Sequence, residues 1–330
     1  MLSLTVETRI WPMHEPFGIS RGVQTDQPTI VVTLTDADGR IGRGEGCGVP
    51  YAGETPQTMT AQIEAARAAV EAGPSRRALL DVLPAGGARC AIDAALWDLE
   101  AWREGRSAFE AAGVAAPGAV NTAYTIGIRD LEGYEAAAAA RAEHALLKVK
   151  VGAGDPVAAI SAVRRGAPGS ALIVDPNQAW SPDDLKAYAP ALAELGVVLL
   201  EQPIKVGAEA GLDGYRCPVK LCADELINGT DDLDKARGRF DVINIKLDKA
   251  GGLTSGLDLA AAARAMGFEL MVGCMAGSSL SMAPAMVLAQ QCAFVDLDGP
   301  LLQSVDWPDG LDYVGGMAQP PRPSFWGGVR

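Results

Sequence analysis

The sequence predicts an α/β fold in which a barrel of alternating strands and helices follows a small α+β domain. Three observations point there. From about residue 122 onward, eight β-type runs alternate with segments rich in Ala and Leu, the strand count of a (β/α)8 barrel. Before them, two strand-like runs are followed by two helical stretches, the order of an α+β unit. Finally, charged residues close successive β-type runs, and the carboxyl ends of the strands are where barrels carry their chemistry.

Composition sets the outer bounds. A chain of 330 residues, 48% hydrophobic and 21% charged, is ordinary for a folded globular protein and too rich in apolar residues for disorder. A formal net charge of -13 argues against nucleic acid as a partner, because neutralising phosphates needs clustered Lys and Arg. Six scattered cysteines, without a C-x-x-C pair and with only two histidines, exclude the usual zinc arrays and fit free thiols in a reducing cytoplasm. The first residues lack the pattern of a secretion signal. The uncharged span 270–295 is long enough to cross a bilayer, but its Ser, Pro and Gln residues predict strand, loop and buried helix, so no membrane partner is expected. Without a secretion signal, the glycosylation pattern at Asn228-Gly229-Thr230 is read as chance.

In chain order, the apolar alternation of LSLTVETRI and of TIVVTLTDADGRIGRGEG predicts two strand regions. A polar loop at 15–27 is expected between them, and a hairpin turn at Asp38-Gly39 in the second. Glycines 42, 44, 46 and 48 alternate, but they lack G-x-G-x-x-G spacing and no helix follows at once, so no nucleotide loop is predicted. Helical periodicity covers 58–72 and 88–103. A shift to Ala, Gly and Pro over 111–120 marks the domain junction. The first domain therefore spans 1–115 and is completed by 305–330, while the barrel spans 116–304 and carries the site. Its strands are expected at 122–128, 146–152, 171–177, 197–203, 219–224, 241–248, 269–274 and 293–299, with no convincing helix after the last.

The run LLKVKVG holds two lysines, Lys148 and Lys150, in an otherwise apolar strand, and alternation points both to one side. Asp175, Glu201, Asp224 and Lys246 close later strands, successive members lying roughly 22 to 26 residues apart. Three acids from consecutive strands crowd one mouth, and crowded carboxylates either protonate or bind a cation. Oxygen ligands without Cys or His favour Mg2+. Asn177, two residues beyond Asp175, is placed to hydrogen-bond a ligand. The alternative is a structural network in which these acids pair with the three lysines. With a metal-bound carboxylate between them, Lys150 and Lys246 would move a proton off the adjacent carbon and return one from the opposite face. The metal and Lys148 would stabilise the enediolate. A working base must be neutral, so burial and neighbouring cations are expected to lower the pKa of Lys150. Two bases suit racemisation or epimerisation; one base with an acid suits β-elimination.

These residues resemble the enolase superfamily. The K-x-K on the second barrel strand, the three acids in turn and the lysine on the sixth strand are similar to its muconate-lactonizing subgroup, and no histidine stands in the later strands for a mandelate racemase pattern. The resemblance implies a (β/α)7β modified TIM barrel with an N-terminal α+β capping domain, and Mg2+ as cofactor. The stretches CADE, VINIKLDKAGGLT, GCM and DLDGP resemble dipeptide epimerases of the L-Ala-D/L-Glu type. In these the D-x-D, here Asp296 and Asp298, holds the substrate's α-ammonium group. PFGISRG is similar to their specificity loop and puts Arg21 where an arginine meets the substrate's acidic side chain. Thr125, at the end of the first barrel strand, is a further candidate for substrate contact. Pro176, and Gly277 where many relatives carry a glutamate, depart from the pattern and are expected to touch the pocket.

The expectation is a cytoplasmic, Mg2+-dependent isomerase acting on a dipeptide from murein recycling, with a homo-oligomer left open. Two alternatives remain: an N-acylamino acid racemase or o-succinylbenzoate synthase, and a non-catalytic binding barrel.

Overall fold

Two long antiparallel strands open the chain in the computed structural model, which describes residues 1–19, 22–152 and 154–330. β1 (Ser3–Ile19) and β2 (Gly22–Thr35) pair from Ser3↔Thr35 to Pro12↔Asp26 and, after a register shift, from Phe17↔Gln24 to Ile19↔Gly22. The polar loop predicted at 15–27 is therefore mostly the far end of this hairpin. Its alternation is weak because neither face is buried there, and backbone pairing rather than side-chain burial holds it. Arg21 lies outside the described residues.

The hairpin predicted at Asp38-Gly39 is present. The Asp36 carboxylate accepts from the backbone N–H groups of Asp38 and Arg40, and β3 (Ile41–Gly46) returns alongside β2. α1 (Pro56–Glu71) starts at a Thr55 capping box, and Ser75 caps a short helix that the periodicity did not reveal, α2 (Arg76–Val82). α3 (Gly87–Glu104) lies directly on β3, where a Cβ at Gly42 or Gly44 would overlap the carbonyl oxygens of Ala95 or Ala91. The alternating glycines thus serve close helix-to-strand approach, a role that spacing alone did not show. Ile30, Val32 and Leu34 bury against Met59, Ile63, Ile92 and Leu99 as this domain's core.

α4 (Ala108–Ala111) and β4 (Val120–Asn121) lead to the first barrel strand, β5 (Tyr124–Ile126), which is shorter than predicted. There follow α5 (Leu131–Ala139), β6 (Leu146–Lys150), α6 (Pro156–Gly166), β7 (Ala171–Asp175), α7 (Pro182–Glu194), β8 (Val197–Glu201) and β9 (Lys220–Ala223). Next come α8 (Leu233–Ala236), β10 (Val242–Lys246), α9 (Leu247–Ala250), α10 (Leu253–Ala265) and β11 (Glu269–Gly273). α11 (Ser279–Ala289), β12 (Phe294–Val295) and the one-turn α12 (Gly299–Leu302) complete the barrel region. The eight strands β5 to β12 form one parallel sheet in sequence order, and the Ala123 N–H donates to the Val295 carbonyl where its ends meet. This is the (β/α)7β arrangement expected from the sequence, with α12 a single turn instead of a full last helix. The uncharged span divides into β11, a loop, the 11-residue α11 and β12, and among the described residues no helix is long and apolar enough to cross a membrane.

Alternation builds the barrel interior. Leu146, Ile173, Leu199, Cys222, Val242 and Met271 form an apolar plug. Two residues further along the same inward-facing rows stand Lys148, Asp175, Glu201, Asp224 and Asn244, with Lys150 and Lys246 one step above. After α12, the Ser304 N–H donates to the Pro12 carbonyl, and β13 (Tyr313–Val314) pairs with β14 (Met317–Ala318), which in turn pairs with β4. At the chain end, Trp326 Nε1 donates to the Ala94 carbonyl and the Gly327 N–H to Asp98.

Candidate active site

The structure brings Lys148, Lys150, Asp175, Asn177, Glu201, Asp224, Lys246, Asp296, Asp298 and Thr125 to one mouth of the barrel. A cavity of about 400 Å³ opens there, with the three lysines, Asn177, Thr125 and the two late aspartates among its lining and Phe17, Ile19, Val23 and Tyr51 contributed by the N-terminal domain. Pro176 and Gly277, expected at the pocket, are not part of that lining. A side chain at Gly277 would overlap Cys47 Sγ, so the cysteine takes the space that a larger residue would need.

Ion pairs knit the acids and lysines together. Lys148, almost fully buried, has its Nζ 2.8 Å from Asp296 Oδ2, 2.8 Å from Glu201 Oε2 and 3.3 Å from Asp175 Oδ2. Lys150 contacts Asp175 Oδ2 at 2.5 Å, and Lys246 contacts Asp224 Oδ2 at 2.8 Å with Glu201 Oε1 at 4.0 Å. Because ammonium groups bridge the carboxylates, no three acids among the described residues converge as a preformed chelate. The charged group that Lys150 contacts is the anion Asp175, whereas the sequence led us to expect neighbouring cations.

Three polar residues that sequence reasoning missed support this layer. Asn244 Nδ2 donates to Glu201 Oε1 at 3.0 Å. Gln202 Oε1 accepts from the Asp224 and Leu226 N–H groups, and Lys249 Nζ lies 2.6 Å from Asp224 Oδ1. The signal for Lys249 was a second lysine three residues after Lys246, which one helical turn brings back to the same strand end. Asn177 and Gln202 adopt left-handed backbone at φ 47 and 35, rare for residues other than glycine, and the Asn177 N–H donates to Asp175 Oδ1. At the far side of the mouth, the Thr125 N–H donates to Asp298 Oδ2 at 2.6 Å and its hydroxyl to Asp296 Oδ1 at 3.4 Å.

Electrostatics follow from this geometry. Burial pushes the Asp224 and Asp175 carboxyls up, but Lys246 and Lys249 beside the first, and Lys150 and Lys148 beside the second, outweigh it and hold both below the usual range. Glu201 goes the other way: burial outweighs Lys148, Asp175 and Asp224 add repulsion, and its carboxyl rises to about 7. Burial and Asp296 push Asp298 up to about 7 as well. For Lys246, burial is outweighed by Asp224 and Glu201, so its ammonium form is favoured.

The donor set suits a hard divalent cation. It consists of carboxylate oxygens without sulfur or imidazole. Glu201 Oε2 lies close to Lys148 but off the line of a hydrogen bond, and Asn177 Oδ1 is also buried without a donor.

Residues 1–113 match the mandelate racemase / muconate lactonizing enzyme N-terminal domain, and residues 133–322 match the enolase C-terminal domain-like family. The chain belongs to this family of the enolase superfamily. Within it the chain falls among the dipeptide epimerases, and it is therefore an isomerase. It is 40% identical over 318 residues, 96% of this chain and 99% of the relative, to the L-Ala-D/L-Glu epimerase of Escherichia coli strain K12. It is also 41% identical to the N-acetyl-D-glutamate racemase of a Pseudoalteromonas species, over 85% of this chain and 90% of that protein. A crystal structure of an enolase family member from Agrobacterium tumefaciens, described as homologous to dipeptide epimerases and holding sodium and L-Ala-L-Glu, is 43% identical. It superposes with a TM-score of 0.96 over 99% of this chain and 100% of that one.

Proposed function

We propose that the protein epimerises a dipeptide with a C-terminal glutamate, L-Ala-D/L-Glu, in murein-peptide recycling in the cytoplasm. The observation that carries this reading is the placement of Lys150 and Lys246 on separate strands around one cavity, with three buried acids between them and an Asp pair beyond. Asp175, Glu201 and Asp224 would hold Mg2+, the ion that enolase-superfamily sites use with lysine bases. When bound, Mg2+ would draw negative charge onto the substrate carboxylate and lower the acidity barrier at the α-carbon.

One lysine, unprotonated, removes the α-proton while the other delivers a proton from the opposite face, and the two exchange roles in the reverse direction. The Lys148 ammonium adds positive charge at the carboxylate. Asp296 and Asp298 receive the ammonium end of the dipeptide, Thr125 orients them, and Asn177 offers its free carbonyl oxygen to a ligand. Arg21 is assigned to the glutamate side chain on the resemblance of its loop. All six thiols are free, in keeping with a reducing compartment.

A second reading, an N-acylamino acid racemase, draws on one observation. Lys148 already neutralises Asp296, and Asp298 is pushed up to about 7, which weakens both as counter-charges for a free amine. Chiral chromatography of L-Ala-L-Glu and of N-acetyl-L-glutamate, each incubated with the protein and Mg2+, separates the two. Formation of L-Ala-D-Glu at the higher kcat/KM supports the dipeptide reading; faster racemisation of the acetylated amino acid, with the dipeptide untouched, replaces it.

A further inference from the structure

Lys249 stands behind the cavity and outside its lining, yet its side chain is only 1% exposed. Its Nζ contacts Asp224 Oδ1 at 2.6 Å and donates to the Asp224 backbone carbonyl as well, while Lys246 takes Asp224 Oδ2 on the cavity side. The turn that carries Lys249, α9, is fixed by the N-terminal domain at two points. Asp248 Oδ1 accepts from the Cys47 and Gly48 N–H groups at 2.8 and 3.0 Å. Arg89 donates to the Ala250 and Gly251 carbonyls at 2.8 and 2.9 Å. A buried ammonium with this anchorage keeps one named oxygen of Asp224 permanently engaged.

We propose that Lys249 is a positioning residue that withholds Asp224 Oδ1, leaving only Oδ2, which Lys246 contacts on the cavity side, to turn to a metal, and so selects Mg2+ over Ca2+ at the site. Mg2+ requires near-octahedral coordination by few oxygens, whereas Ca2+ accepts larger, flexible shells and bidentate carboxylates. With Oδ1 held by Lys249, Asp224 is unable to ligate through both oxygens. The inference rests on the metal-site reading above.

The ratio of Ca2+ to Mg2+ dissociation constants tests it, because removing a charge from Lys249 affects two divalent ions alike while freeing Oδ1 favours the larger one. Isothermal titration of the wild type and of Lys249→Met with MgCl2 and CaCl2, without substrate, should show the preference for Mg2+ falling about tenfold in the variant, the low end of the affinity changes that outer-shell mutations cause at metal sites. A folded variant with the wild-type ratio overturns the proposal. Should Lys249→Met lose its native circular dichroism, the neutral pair Asp224→Asn/Lys249→Met is compared with Asp224→Asn. Asparagine offers one carbonyl oxygen either way, so the two should share one ratio, and a tenfold difference contradicts the proposal. Failure of the wild type to bind either ion would instead remove the metal site itself.

Discussion

The Lys148 ammonium stands 2.8 Å from Asp296 Oδ2 and so joins the second strand of the barrel to its last. It also lies within 3.3 Å of Asp175 and Glu201, which makes it the hub between the proposed metal side and the proposed amine side of the cavity. Asp296 therefore serves two neighbours, Lys148 and the ligand.

Asp296→Asn should separate the two candidate substrates. Loss of a charge-assisted bond to the ammonium costs about 2 to 3 kcal/mol, so kcat/KM for L-Ala-L-Glu should fall on the order of 100-fold. For N-acetyl-L-glutamate, which carries no ammonium, only the disturbance of Lys148 remains and the fall should be markedly smaller. Steady-state rates on both substrates decide it; equal losses would remove Asp296 from amine recognition.

Gly44→Ala tests the packing of α3 on β3. The added methyl would overlap the Ala91 carbonyl, a backbone atom that cannot turn aside. Urea unfolding should show a loss of about 3 kcal/mol or more, the upper end for overpacking. A loss below about 1 kcal/mol would mean that the helix can lift from the strand.

Asp93 links the two parts of the molecule and carries a pH signature. Buried in α3, it accepts from the Thr254 N–H and hydroxyl, and burial, only partly offset by those bonds, raises its carboxyl from 3.8 to about 6. In this window the folded state binds more protons than the unfolded one, so stability falls as pH rises from about 4 to 6, by on the order of 3 kcal/mol. Asp93→Asn stays neutral at every pH. Its stability relative to wild type should therefore improve from pH 4 to pH 7 in urea titrations, and a pH-independent difference would contradict the assignment.

Much of this was legible in the residues. Lys148, Lys150, Asp175, Glu201, Asp224 and Lys246 each close a short apolar run, and strand alternation leaves them one destination. The length of the β1–β2 hairpin was not legible, because an exposed ribbon is held by backbone pairing that leaves little hydrophobic pattern. Nor was the role of Gly42 and Gly44, which depends on how closely a helix distant in sequence approaches. Lys249 and Asn244 were passed over for a similar reason: a lysine one turn past a strand, or an asparagine within one, reveals its partner only when the neighbouring strand is in place.

Metal addition should stabilise the fold. A site that binds Mg2+ only in the folded state adds about 2.7 kcal/mol at 100 times its dissociation constant. Thermal unfolding should therefore shift upward by several degrees with Mg2+ and back with EDTA. The same shift should be absent in Asp175→Ala and Asp224→Ala.

The most direct measurement is proton NMR of L-Ala-L-Glu in D2O with Mg2+, using the wild type, Lys150→Ala and Lys246→Ala. Two lysines acting on one α-carbon predict that deuterium enters the glutamate α-position as L-Ala-D-Glu forms, and that epimerisation is lost in both variants. Epimerisation that survives at the wild-type rate in either variant would contradict the two-base account.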